Sequence, residues 1–398
     1  MRTVTIGVDL SKQVFSACTL DDGGRVAGRQ ELRREAFAVW LAQVPAGTTV
    51  AMEACSGSHH WARRCLELGL QPRLMAAQFV KPFRKSQAAK NDRNDAEAIA
   101  TAARQGNMRF VPVKSVEQQA RLSEHRIREG YKADALAASN RLRGILAEFG
   151  IVVARGDAPL RRLLAGLGEL PIPASTRAAL AELQQHWAAL REREAVCSRR
   201  ILAQAREVER CRRLLQIVGI GPLTADALVA TVGNARDFHR GRQLSAWLGL
   251  TPSQHSSGGR ARLGEITCRG DRYLRTLLIQ GARSSLQRAQ VVVVGQASPE
   301  QLWIRELATR LPFGKGASEQ ARAFSVCCRD STQFSRFRRL SGAIFARSSA
   351  HSPAYLNCGR NAPVFGINCL RTAYRFASAN SVTIWAVFFA RPLKRVLA

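Results

Sequence analysis

Four carboxylates stand where they could do chemistry. Asp9 ends the apolar run Thr3-Val4-Thr5-Ile6-Gly7-Val8, Glu53 closes a second such run, and Asp92 and Asp95 lie three apart in Lys90-Asn91-Asp92-Arg93-Asn94-Asp95-Ala96. Like charges gathered in one fold repel and raise one another's pKa, so a converging quartet persists when divalent cations neutralise it. A strand acid, a second acid on a neighbouring strand and an Asp-x-x-Asp pair on one helical turn can hold two ions about 4 Å apart, an arrangement suited to phosphodiester chemistry. Each acid alone has an ordinary alternative: Asp9 in a turn with Ser11, Glu53 paired with Arg63, Asp92 as a helix N-cap. All four in this order point to an enzyme of nucleic acid that uses Mg2+.

A hydroxyl is offered further on, in Pro252-Ser253-Gln254-His255-Ser256-Ser257-Gly258-Gly259-Arg260-Ala261-Arg262. Two serines before two glycines form a polar loop, and Arg260, Arg262 and Arg269 are near enough in sequence to hold a phosphate. Taken alone, such a loop reads as a linker. A third element is Gln216-Ile217-Val218-Gly219-Ile220-Gly221-Pro222 between apolar helices. Gly219 and Gly221 give it the look of a helix-hairpin-helix turn, whose backbone N–H groups meet phosphates without reading sequence, although a plain inter-helix turn would look the same. It is not a dinucleotide fingerprint, because the third glycine is missing and no strand leads into it.

Composition narrows the partner. Sixty Lys plus Arg against thirty Asp plus Glu give a formal charge of +30 over 398 residues. Bases in such excess attract phosphate backbones through counterion release. Hydrophobic residues make up 46% of the chain, enough for real cores in two or three domains. No apolar run approaches the roughly 20 residues needed to span a bilayer, and the first residues lack a signal-peptide pattern, so a cytoplasmic protein without membrane partners is expected. Ten cysteines are scattered without a Cys-x-x-Cys pair, which argues against zinc ligation and a disulfide framework.

The elements that must position these residues can be read coarsely. Strands are expected to Leu10 and from Val14 to Leu20, with Asp21-Asp22-Gly23-Gly24 turning into Arg25–Gly28. Helical spacing follows over Glu31–Val44, a β-branched run over Thr48–Met52, and helix again over Trp61–Leu70. This describes an α/β domain with a mixed sheet over residues 1–112. Residues 113–212 lack strand signals. Leu180, Leu183, Trp187, Leu190, Cys197 and Ile201 recur at helical or heptad spacing, and a helix through Leu142, Ile145, Leu146 and Phe149 could run antiparallel to them, with Gly150–Ser175 as the tip. Residues 213–310 form a third, mostly helical domain, and 311–398 a divergent basic tail with no Asp or Glu after Asp330.

In combination, Gly7-Val8-Asp9-Leu10-Ser11-Lys12, Met52-Glu53-Ala54, the Asp92–Asp95 segment, the Gly-Ile-Gly turn, and Leu248-Gly249-Leu250-Thr251-Pro252 leading through Ser257-Gly258 to Arg269-Gly270-Asp271-Arg272-Tyr273-Leu274-Arg275 resemble the DEDD transposases of the one-hundred-and-ten insertion-sequence family. The double serine with His255 is most similar to the eleven-eleven subgroup. The resemblance implies a RuvC-like domain of RNase H fold, a coiled-coil connector and a transposase domain bearing a nucleophilic serine. By position, Asp9, Glu53, Asp92 and Asp95 would bind metal, and Ser257, ahead of Ser256, would attack a DNA phosphate to leave a covalent phosphoserine. Gly219, Gly221, Arg260, Arg262, Arg269 and Arg275 would contact nucleic acid. Donor and target DNA, a noncoding bridge RNA, and a homodimer or tetramer that completes each active site from two subunits are the implied partners. A hydrolytic RuvC-like nuclease and a noncatalytic remnant are the rival readings. The chain departs from the family after about Leu311, as a frameshift or read-through would make it do.

Overall fold

Short β-branched runs separated by tight turns build the first part of the protein, and long Ala- and Leu-rich amphipathic helices build the rest. The computed structural model describes residues 4–84, 92–238, 241–258, 262–291, 301–302 and 304–305. The tail expected from 311 onward and Arg260 lie outside the described residues. The chain divides into two compact units, Met1–Val116 and Glu117–Ala398.

The first unit centres on a six-stranded mixed sheet. Strands β1 (Thr5–Asp9), β2 (Val14–Leu20) and β3 (Val26–Arg33) form an antiparallel meander; helix α1 (Arg34–Ala42) leads to β4 (Thr49–Glu53), and α2 (Ser58–Glu67) leads to β5 (Gln71–Met75). A short helix α3 (Ala77–Val80) and a 3-10 turn (Lys81–Phe83) precede α4 (Asp92–Ala103) and the edge strand β6 (Phe110–Val111). The strand order is β3-β2-β1-β4-β5-β6, with β1, β4 and β5 mutually parallel. This topology is consistent with an RNase H-like fold.

Two features of the unit differ from the sequence reading. The segment from Glu31 begins as strand: β3 continues to Arg33, because Val14 pairs with Arg33 and Ser16 with Glu31, and the ladder outweighs the local helical spacing. Strand β5 carries little apolar alternation of its own. It forms because its backbone completes the ladder beside β4, from Thr49 opposite Gln71 to Glu53 opposite Met75.

Alternation along the strands separates two faces. Ile6, Val8, Val50 and Met52 point toward α1 and α2, where Phe15, Phe37 and Trp61 meet edge to face with centroids 4.8–5.5 Å apart. The opposite face is made of small residues. Gly7 lies opposite Ala51 in the β1–β4 ladder, and the Ala-rich helix α4 presses onto them through Ala96, Ala98, Ile99 and Ala100. A Cβ on Gly7 would fall 2.2 Å from the Ala96 carbonyl oxygen and 2.5 Å from the Ala100 nitrogen, so only glycine lets this helix seat. Gly7→Val is expected to unseat α4 at a cost of about 3 kcal/mol. Thermal unfolding checks this, with Gly28→Ala, where a Cβ meets nothing within 4 Å, melting like the parent.

The second unit is mostly helical. Helices α5 (Val116–Glu148), α6 (Asp157–Ala165) and α7 (Ala174–Glu207) are followed by α8 (Glu209–Leu215), α9 (Pro222–Val232), α10 (Gly241–Trp247), the hairpin β7 (Pro252–Gln254) and β8 (Leu263–Ile266), and α11 (Arg272–Val291). Glu124 meets Arg200 at 3.5 Å, Arg128 meets Glu194 at 3.5 Å, and Arg193 stacks over Tyr131, so α5 and α7 run antiparallel. Leu142 and Leu146 pack with Leu180, Trp187 and Leu190, and α6 adds Leu160 and Leu164 to the same core. The tip between Gly150 and Ser175 contains the helix α6.

Helix α9 is apolar nearly all round and buried from Thr224 to Ala230, as a central helix must be. Its one acid, Asp226, is 0% exposed. Arg121 meets its Oδ1, His125 Nε2 lies 3.1 Å from its Oδ2, and Tyr273 Oη lies 2.9 Å from His125 Nδ1. Burial pushes the Tyr273 phenol up to about 12, and the two ring nitrogens of His125 lie between this hydroxyl and the Asp226 carboxylate. This chain ties α5, α9 and α11. Removing the acid would strand a guanidinium and an imidazole, so Asp226→Ala is expected to destabilise by about 3 kcal/mol. Loss of only the hydroxyl in Tyr273→Phe should cost about 1 kcal/mol, and urea unfolding compares the two.

Candidate active site

The sheet brings the acids of the first unit to one end and one face. Asp9 is two residues beyond Gly7 and Glu53 two beyond Ala51, so both lie on the α4 side. They terminate neighbouring parallel strands whose register pairs Val8 with Met52. Both are half-buried. Their proximity has an electrostatic signature at Cys55, whose thiol is pushed up first by burial and then by the charges of Asp9 and Glu53.

Helix α4 supplies the other two. Asp92 opens the helix and Asp95 follows one turn later, immediately before Ala96, whose carbonyl rests over Gly7. Asp95 is 5% exposed, while the side chain of Asp92 lies outside the described residues. Between Glu53 and Asp95 sits a residue the sequence did not single out. Arg84 places Nε 2.9 Å from Asp95 Oδ1 and Nη2 3.6 Å from Glu53 Oε1. One guanidinium thus spans both carboxylates. No group of three or more His, Cys, Asp or Glu side chains among the described residues forms a ready-made ion cage.

The ordinary alternatives for the acids find other partners. Ser11 Oγ accepts from the Val14 N–H at 3.2 Å, and Arg63 donates to the Lys114 carbonyl at 2.7 Å. On the outer side of α4, Glu97 pairs with Arg29, and Arg104 donates to the carbonyls of Asp21 and Asp22, fixing the helix to the β2–β3 hairpin.

In the second unit the serines sit at the end of the β7–β8 hairpin. Its base is locked by two glycines at crossing backbones. A Cβ on Gly249 (φ +70°) would lie 1.8 Å from the Arg269 carbonyl oxygen, and one on Gly270 (φ +90°) 1.9 Å from that of Trp247. Thr267 N–H donates to Thr251 O and Cys268 N–H to Gly249 O. At the tip, His255 N–H donates to Arg262 O. The serines differ. Ser256 Oγ accepts from the Arg262 N–H at 3.1 Å and from Gln254 Nε2 at 2.9 Å, whereas Ser257 is exposed and its hydroxyl makes no hydrogen bond among the described residues.

The basic residues divide as well. Arg262 and Arg269 are exposed. Arg275 corrects the sequence reading: it is 8% exposed, and its Nη1 donates to Leu248 O at 3.0 Å and Arg269 O at 3.2 Å, so it clamps the hairpin base and cannot meet a phosphate. Gly219 is half-buried, with its carbonyl against Gly281 of α11, and Gly221 is the exposed N-cap of α9.

Two residues of consequence were missed. Asp226 could have been noticed as the lone acid in Leu223–Val232, where an unpaired charge would be costly. Arg84 carried no such signal, being one base among many.

A family model for DEDD transposases of the IS110 type, described as "Transposase", matches residues 6–151, and one described as "Transposase IS116/IS110/IS902 family" matches residues 211–294. A "Probable family 20 transposase" of Pseudomonas aeruginosa is 44% identical over 316 residues, covering 78% of this chain and 91% of that protein. A "Transposase for insertion sequence element IS1111A" of Coxiella burnetii is 38% identical, covering 77% and 83%, and one for IS1328 of Yersinia enterocolitica is 38% identical, covering 73% and 86%. With acids, glycines and serine hairpin all inside the matched segments, the chain belongs to the IS110/IS116 family of transposases.

Proposed function

We propose that this transposase is a Mg2+-dependent DNA strand-exchange enzyme that becomes covalently joined to DNA through Ser257. The observation that carries the reading is the placement of Asp9 and Glu53 at the ends of adjacent parallel strands, beneath the helix that brings Asp95 to Glu53 through Arg84. Asp9, Glu53, Asp92 and Asp95 would hold the metal. Oxygen-only donors suit a hard cation such as Mg2+, and the guanidinium between two of them marks a place where positive charge is needed. When bound, the ion would supply Lewis acidity toward a phosphate oxygen.

The chain's own residues do the rest. Ser257 Oγ bonds to phosphorus, the bond to a deoxyribose oxygen breaks, the serine proton ends on that departing oxygen as a free hydroxyl, and the phosphoserine ester conserves the phosphodiester for rejoining. Its exposure and its lack of hydrogen bonds among the described residues favour it over Ser256, whose hydroxyl is held by the hairpin. Arg260, Arg262 and Arg269 grip the scissile phosphate, and the Gly219–Gly221 turn meets the backbone nearby. Residues 113–212 serve as the connector between the domains of 1–112 and 213–310.

The net charge of +30 supports sequence-independent holding of backbones, with a noncoding guide RNA supplying sequence by pairing to donor and target DNA. Likeness to the IS1111A transposase, with the double serine and His255, supports a reading of the chain as a member of that subgroup, which would act as a homodimer or tetramer in the cytoplasm. Purified protein, cognate RNA and end-labelled element DNA, mixed with Mg2+ or EDTA and run on a denaturing gel, provide the test. A Mg2+-dependent protein–DNA adduct is expected. Cleavage without an adduct would favour the hydrolytic nuclease, and no cleavage the noncatalytic remnant.

A further inference from the structure

Arg84 lies against two of the candidate metal-binding acids, Glu53 and Asp95, and the chemistry above does not use it. It follows the 3-10 turn Lys81–Phe83, in which Pro82 restricts the backbone, and its own φ of −71° and ψ of 127° leave the helical region. The side chain is 28% exposed, against 17% for Glu53 and 8% for Asp95. Two carboxylates so shielded from water repel strongly unless a cation compensates them. The planar guanidinium can face both at once, which a lysine ammonium does less well.

We infer that Arg84 is a resident counter-cation that competes with the divalent ion for Glu53 and Asp95. Without a divalent ion it pairs with both acids at ion-pair distance, 2.9 Å to Asp95 and 3.6 Å to Glu53, and offsets the repulsion that would push α4 off the sheet. A divalent ion approaching the same oxygens meets the guanidinium's positive charge, so loading requires Arg84 to swing away. Its fork is then free for a phosphate oxygen of the DNA. The site thus trades one cation for another, and metal affinity is set partly by the arginine it displaces. Arg84 is accordingly a positioning residue of the acid cluster. This rests on the reading of those acids as the metal site.

The test is Mn2+ binding to the full-length protein, followed by electron paramagnetic resonance of the free ion, beside thermal melts with and without Mn2+. Arg84→Gln removes the competing charge, so Mn2+ is expected to bind about tenfold tighter than in the parent. The metal-free variant should melt earlier, and saturating Mn2+ should raise its melting temperature by more than it raises the parent's. Unchanged or weaker Mn2+ binding in Arg84→Gln would overturn the inference, because Arg84 would then be a support of the loaded site. If Arg84→Gln does not fold without metal, Arg84→Lys decides. Its ammonium cannot span both acids as a fork, so intermediate tightening is expected, and weaker binding counts against the inference. Asp9→Asn separates the two levels: if it loses Mn2+ while Arg84→Gln fails to tighten it, only the role of Arg84 falls. If parent and Asp9→Asn bind Mn2+ alike, the metal site itself falls.

Discussion

Ser257→Ala is expected to leave no protein–DNA adduct on a denaturing gel and to lower strand exchange by about 10³-fold or more, while Ser256→Ala retains the adduct. The physical difference is what each hydroxyl already does. Ser256 Oγ accepts two hydrogen bonds that close the hairpin, so its loss loosens the tip and should slow the reaction only several-fold. Ser257 is exposed, beside Gly258 at φ +56°, and holds nothing else together among the described residues. Ser257→Ala should therefore fold and melt like the parent. An adduct that survives in Ser257→Ala and disappears in Ser256→Ala would move the nucleophile by one residue and sink this assignment.

Asp9→Ala is expected to abolish Mg2+-dependent strand exchange as completely, by a different route. The serine is intact, but on the proposed reading the acids that would hold the ion are one fewer, so adduct formation should fall by about 10³-fold at any Mg2+ concentration. Stability should change little. Asp9 sits at a strand end outside the hydrophobic core, and its charge is felt at the Cys55 thiol beside that of Glu53. A melting temperature equal to or above the parent's, with activity lost, distinguishes a chemical role from a structural one. A variant that loses both together would show that Asp9 mainly supports the strand end.

These expectations depend on parts of the molecule that were legible to different degrees. The strand and helix sites of Asp9, Glu53 and Asp95 could be read because apolar runs ending in an acid, and acids three apart, are local patterns. The serine loop stood out only in combination with the acids and the Gly-Ile-Gly turn, because Ser-Ser-Gly-Gly taken alone reads as a linker. The true start of α1 could not. Glu31–Arg33 follow helical spacing, yet their backbone groups are taken by β2, which lies more than ten residues earlier in the chain. Arg275 was misread for a related reason, since nothing in Asp271–Arg275 tells a surface arginine from one buried beneath Leu248 and Arg269 carbonyls.

From the sequence alone came the candidate reactive groups, their order along the chain, and the excess of positive charge that calls for a polyanion. All three depend on residue type and spacing, which tertiary contacts do not alter. The three-dimensional arrangement decided which groups meet. A glycine and an alanine paired across two strands let a helix come close enough to bring Asp95 beside Glu53 and Arg84 between them. It also decided which of two neighbouring hydroxyls is tied into a turn. Such choices depend on contacts between residues distant in sequence and on steric exclusion at single atoms, and neither leaves a periodic trace in the order of amino acids.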